Sequence, residues 1–189
     1  MESALLVSSG EKEIAILAKV MKATSIHTLG YATNGGEARR QLVDKDYDLV
    51  VVNTPLMDEF GDELAIYASE ATLSGVILLA KSSIADGVAY RVEDYGVMVV
   101  QKPLSGPALL TAIHMLTVVR RRMLGLKREN IQLQDKILEM RLIDRAKFLL
   151  IQYMGMTEQA AHRYIEKEAM DRRESRRQVA EYIVEEYER

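Results

Sequence analysis

A chain of 189 residues with 48% hydrophobic content is long enough for one large domain, or a medium and a small one, and apolar enough for a packed core, which excludes an intrinsically disordered chain. Cysteine is absent, which excludes disulfides, thiolate metal sites and cysteine nucleophiles and suits a reducing compartment. The formal charge of -3 is unevenly spread: residues 1–119 hold 9 Lys+Arg against 15 Asp+Glu and residues 120–189 hold 16 against 13, so an acidic front half precedes a basic tail suited to a polyanion.

The opening MESALLVSSGEKE lacks the basic start and apolar stretch of a signal peptide, and no run approaches the roughly 18 apolar residues of a membrane span, so a cytoplasmic protein with no membrane partner is expected. ALLVSS reads as a strand, and Ile14, Leu17, Ala18 and Met21 fall at helical spacing behind it. The rhythm repeats: strand around Ile26 to Tyr31, helix Glu37 to Asp44, strand Leu49 to Asn53, helix Asp62 to Ser69, strand Val76 to Leu79, helix Ile84 to Tyr95, strand Val97 to Val100. Strands that are continuous apolar runs are buried on both faces, which predicts an α/β fold with a five-stranded doubly wound parallel sheet over residues 1–119. Active groups in such sheets gather at the carboxyl ends of the strands, here Ser8, Ser9, Asn53, Ala80 and Lys102.

After Ser105 no further strand appears. Pro107 suits a first helical turn capped by Ser105, and Leu110, Ile113 and Leu116 pack that helix on the sheet. Met123, Leu126, Asn130, Leu133, Ile137 and Met140 then alternate in steps of three and four, with Asn130 and Ile137 at a and Leu126 and Leu133 at d. Leucine at d, a β-branched residue at a and one buried Asn favour a parallel two-stranded coiled coil, so residues 120–142 are expected to be a homodimer seam; the alternative is one amphipathic helix packed on its own domain. Residues 143–189 read as a three-helix bundle. Ile143, Ala146, Leu149, Leu150 and Tyr153 form one face that Gly155 ends, Thr157 caps a helix bearing Ala161, Ile165 and Ala169, and Ser175 with Gln178 opens a third bearing Val179 and Ile183.

The order of elements over residues 1–119, with QKPLS after the fifth strand, resembles the flavodoxin-like receiver domain of two-component response regulators, and Lys102-Pro103 is the part that matches. The resemblance implies two acids for Mg²⁺ after the first strand, a phosphate-accepting aspartate after the third and Thr or Ser after the fourth. This chain has Ser8 and Ser9, Asn53, and Ala80 instead. Hydroxyls and an amide offer no anionic oxygen to a hard cation, and an amide is no carboxylate nucleophile. A degenerate phosphoacceptor pocket follows, with no cofactor or metal, controlled by a regulatory protein, by a small ligand, or serving only as dimer scaffolding. Asp58 and Asp86 read as loop or helix-start residues, and Lys102 as a satisfied relic.

The stretch IDRAKFLLIQYMGMTEQAAHRYIEKEAMDRRESRRQVAEYIV resembles the ANTAR domain of AmiR- and NasR-type transcription antitermination regulators, through Ala146-Lys147 with Leu149-Leu150, Gly155 before Thr157-Glu158, Ala161, Ala169-Met170-Asp171 and Val179-Ala180. The resemblance implies a dimer that binds paired hairpins in nascent transcripts. RNA loops call for cations against phosphate and a flat group for a splayed base. Tyr164 is the stacking candidate, three residues from Lys167; Arg172, Arg173, Arg176, Arg177 and Lys147 are the phosphate candidates, with Arg163 beside them; Met170 lies in the matched run, and small Ala146 and Ala161 allow close backbone approach. Interleaved Glu166, Glu168, Asp171 and Glu174 leave open a solvated, salt-bridged surface with Tyr164 capping the core. Two other readings stand: a DNA-binding helix-turn-helix led by Arg176 and Arg177, and a protein-only dimeric adaptor. His27, His114 and His162 lie on different elements without an acid or nucleophile pattern, and YATNGG lacks phosphate-loop spacing, so no catalysis is assigned.

Overall fold

The computed structural model describes residues 1–188. Two compact units meet within one helix, the first spanning Met1–Leu124 and the second beginning at Gly125. In the first, strands β1 (Ser3–Ser8), β2 (Thr28–Ala32), β3 (Leu49–Asn53), β4 (Gly75–Lys81) and β5 (Met98–Lys102) alternate with helices α1 (Glu11–Met21), α2 (Gly35–Asp44), α3 (Asp62–Ala71) and α4 (Ala85–Val92). The chain then enters α5 (Gly106–Met154). All strand pairs are parallel, in the order β2-β1-β3-β4-β5. This is the doubly wound α/β architecture that the apolar runs predict, with its reversal of strand order at β1 and β3.

Side chains alternate between two cores. Leu5, Val7, Val50, Val52, Leu78 and Ala80 face the buried residues of α2, α3 and α4. Ala4, Leu6, Leu49, Val51, Ile77, Leu79 and Val100 face Leu17 and Met21 of α1 and Leu109, Ala112, Ile113 and Leu116 of α5. The helix predicted over Ile84 to Tyr95 is shorter: Ile84 is its N-cap, and from Glu93 it tightens into a 3₁₀ turn ended by Gly96 at φ 70°.

In the second unit the last turns of α5 pack with α6 (Glu158–Arg172) and α7 (Arg176–Tyr187). Thr157 accepts the Ala160 N–H at 3.2 Å, and Ser175 with Gln178 forms a capping box. The core is Ala146, Leu149, Leu150, Ala161, Ile165, Ala169, Val179, Ala180 and Ile183. Tyr153, expected inward, is exposed and stacks on Tyr187 with ring centroids 5.3 Å apart. Leu150 is almost fully buried in this small core, so Leu150→Ala is expected to lower the stability of this unit by about 3 kcal/mol, as for other buried leucines, read by denaturant unfolding of the full chain.

Candidate functional site

Ser8 and Asn53 are opposite one another in the β1–β3 register, both buried, and the Asn53 side-chain amide donates to Ser8 Oγ at 2.9 Å. Ser9 Oγ donates to the Pro55 carbonyl at 3.1 Å, and the Lys102 ammonium donates to the Thr54 carbonyl. Hydroxyl, amide and lysine thus satisfy one another and the backbone where a receiver would hold carboxylates. These donors do not fit Mg²⁺, and no group of three or more His, Asp or Glu stands ready for a metal among the described residues. Burial, with the charge of nearby Lys81, holds the Lys102 ammonium below its ordinary value against the opposite pull of Glu13.

Ala80 corrects the expected pocket. It is fully buried with Leu5, Val7 and Val52 on the opposite face of the sheet, because side chains alternate along β4 and Asn53 pairs with Leu79. The residues of β4 that reach the cavity are Leu79 and Lys81, which the sequence reading did not select.

The glycines of YATNGG are occupied. Asp58 accepts the N–H groups of Gly35 at 2.9 Å and Gly36 at 3.0 Å, and Asn34 accepts that of Glu37 at 2.8 Å, so the first turn of α2 is satisfied by the protein's own side chains. These two N–H groups hold the Asp58 carboxyl below the usual aspartate range. A carboxylate with a depressed native pKa contributes stability above its unfolded value, near 3.9, and loses it as pH falls through the native value. Asp58→Asn is therefore expected to lower the melting temperature at pH 7, with the gap from the parent closing as pH falls below the ordinary aspartate range.

In the bundle the basic residues fall into two groups. Arg172 pairs with Glu168 at 2.8 Å, Arg177 with Glu181 at 3.0 Å, Arg176 with Glu166 at 3.8 Å, and Lys147 with Asp144 at 2.8 Å and Glu158 at 3.4 Å. The Asp144 hydrogen bond chiefly raises the Lys147 ammonium above its ordinary value. Arg163, Lys167 and Arg173 make no salt bridge among the described residues and are exposed. Met170, one turn beyond Lys167 on α6, is 79% exposed. Tyr164 is half-buried against the bundle core, and that burial raises its phenol above the ordinary value. Ala146 is fully enclosed in the core, a correction to any direct RNA contact: its small size serves the close packing of the bundle helices. Arg173 ends α6 in the left-handed region at φ 57°, where glycine is usual. A groove of about 400 Å³ runs past Lys136, Lys147, His162 and Arg176; the sequence reading did not select Lys136 and took His162 only as one of three scattered histidines.

Along α5, Met123, Leu126, Leu133, Ile137 and Met140 are exposed, with Leu133 at 59%, and so is Asn130. Ile131 and Leu138 widen the same apolar stretch.

A receiver-like α/β unit with altered acceptor residues, followed by a small helical unit, defines a regulatory protein of the response-regulator class. Residues 132–184 match the ANTAR domain family. The chain is 30% identical over 183 residues to the transcriptional regulatory protein PdtaR of Mycobacterium tuberculosis, covering 96% of this chain and 89% of that one. It is 32% identical over 121 residues to the aliphatic amidase regulator of Pseudomonas aeruginosa, covering 64% and 54%. Among solved structures, the signal receiver domain of an HD domain-containing protein from Pseudomonas fluorescens aligns with a TM-score of 0.59 at 20% identity, over 66% of this chain and 92% of that one. A two-component response regulator from Clostridium difficile aligns at 0.56 and 19%, over 65% and 98%. The chain belongs to the ANTAR family of antitermination-type transcriptional regulators. Among the described residues no helix is long and apolar enough to cross a membrane.

Proposed function

We propose that this protein is a cytoplasmic, non-enzymatic antiterminator that binds paired RNA hairpins as a homodimer and is not phosphorylated at Asn53. Under this reading residues 1–119 are the regulatory domain, 120–142 the dimer seam and 143–189 the RNA-binding bundle. The observation that carries it is the set of cations Arg163, Lys167 and Arg173, without a salt bridge among the described residues, on and just after α6, with Tyr164 at the edge of the core and Met170 exposed beside them. Phosphate attracts cations that have no competing carboxylate, and a half-buried tyrosine is a rigid ledge for an unstacked base. Arg172, Arg176, Arg177 and Lys147 join them only by exchanging a surface carboxylate, worth about 1 kcal/mol or less each, for phosphate.

A helix-turn-helix reading draws on the short link Arg173–Ser175 between α6 and α7. The test is binding of the full chain to a tandem two-hairpin RNA, to the same RNA with scrambled loops and to duplex DNA. Preference for intact loops is expected. Preference for duplex DNA would transfer the tail to the helix-turn-helix class, and no binding to either would leave a protein-only adaptor.

A further inference from the structure

At the carboxyl ends of β1, β3, β4 and β5 lies a cavity of about 470 Å³. That is the volume range of small-molecule sites, and the place where open α/β sheets take their ligands. Its walls are largely apolar: Ile16 and Leu17 of α1, Leu79 of β4, and Pro55, Pro103 and Leu104 from the loops. Its polar lining has an unusual charge. Lys81 and Lys102 are direct partners in the β4–β5 register, so both project from the same face of the sheet, and both line the cavity. Like charges directly opposite on neighbouring strands are destabilising. Ser8, Ser9 and Asn53 are engaged with one another or with backbone and carry no charge. Glu13, on the first turn of α1, is the one acid in the lining, and it is exposed. Two ammonium groups against one carboxylate leave the cavity with one positive charge in excess, one anion short of balance. The Lys102 ammonium, partly stripped of water, gains more from an anionic partner than a surface lysine would.

We propose that this cavity binds a small organic carboxylate, its charged end between Lys81 and Lys102 and its apolar body against Ile16, Leu17, Leu79 and Leu104. Inorganic phosphate matches the cations but leaves the apolar wall unused. Loss of the acceptor carboxylates would then have turned a phosphorylation pocket into an effector pocket, with a metabolite as the signal read by the regulatory domain. The inference stands on the first unit alone and is independent of RNA binding.

The test titrates the full chain with benzoate and hexanoate, with their neutral amides and with inorganic phosphate, followed by backbone amide resonances and calorimetry. Saturable binding of at least one acid in the millimolar range is expected, as for fragments of this size, with shifts at Ser9, Thr54 and Lys81. The matching amide should bind at least tenfold more weakly. Lys81→Met should weaken the acid at least tenfold; Lys81 is exposed, so this variant keeps the fold, and Leu104→Asp provides a second variant that removes the apolar contact. Acid and amide titrating alike, phosphate binding as well as the acid, an unaffected Lys81→Met variant, or no shift at about 10 mM ligand would each overturn the proposal.

Discussion

Replacing Arg173 by glycine is expected to move stability and RNA binding in opposite directions. Arg173 holds φ 57°, a conformation in which a side chain's Cβ crowds the following carbonyl. Glycine has no such crowding, so Arg173→Gly should stabilise the bundle by roughly 1 kcal/mol, read as a higher denaturant midpoint. The same change removes a cation that has no carboxylate partner among the described residues. Each lost phosphate contact should cut the slope of log affinity against log salt by about 0.7 to 0.9, which near 0.1 M salt is a five- to tenfold loss of RNA affinity. The triple variant Arg163→Ala, Lys167→Ala, Arg173→Ala should lower that slope by about two to three, and affinity by roughly a hundredfold or more. Arg177→Ala, whose side chain is tied to Glu181 at 3.0 Å, should lose less than any of the three. Tyr164→Phe should bind as the parent does, because a phenyl ring stacks equally well, whereas Tyr164→Ala should lose about 1 to 3 kcal/mol of binding. Equal losses at Arg177 and Arg173 would refute the assignment of the unpaired cations as the contact surface.

Much of this was legible in the residues because the signals are local. Apolar runs of strand length between helical patterns specify a parallel sheet, and Ser175 with Gln178 three residues later specifies a helix start through two reciprocal hydrogen bonds. The i,i+4 pairings of Arg172 with Glu168 and Arg177 with Glu181 follow from helix spacing alone. What was not legible depends on register or on distant packing. Ala80 and Lys81 are neighbours in sequence on opposite faces, and only the pairing of Asn53 with Leu79 decides which one meets the pocket. The Lys81–Lys102 opposition is likewise a property of the β4–β5 register, invisible while each strand is read by itself. Tyr153 continues the spacing of Leu149 and Leu150, yet Tyr187 from the far end of the chain draws its ring into a surface stack. Arg163, Lys167 and Arg173 are distinct from their basic neighbours only because Glu168, Glu181, Glu166, Asp144 and Glu158 pair with Arg172, Arg177, Arg176 and Lys147 instead.

The double variant Leu126→Asp, Leu133→Asp is expected to convert a micromolar solution of the protein from dimer to monomer without lowering the unfolding temperature of the α/β unit. Leu126 and Leu133 are 58% and 59% exposed, so their loss takes little from the packing within one molecule. Across a pair of chains the change removes four side chains, each worth about 1.5 kcal/mol or more when buried, and weakens the dimer at least about 10⁴-fold even before charge repulsion. Asn130→Ile should strengthen association while admitting trimers or tetramers, because an amide buried in the proposed seam would select a two-stranded register. In the proposed dimer the flanking positions would give a salt response opposite to that expected of RNA binding. With Asn130 at a, Arg122 and Lys136 fall at g, and Lys127 and Arg141 at the e positions they would face in a parallel partner. Both pairs repel, so added salt should tighten the dimer as it screens them, while the same salt weakens phosphate contacts. Sedimentation over a salt series checks the first and RNA titration the second. A monomer made by the aspartates should still bind a single hairpin, but lose the gain of one hundredfold or more that two linked sites provide on tandem hairpins. A double-aspartate variant that remains dimeric would move the interface off α5, and one that keeps full affinity for the tandem RNA would separate hairpin binding from dimerisation altogether.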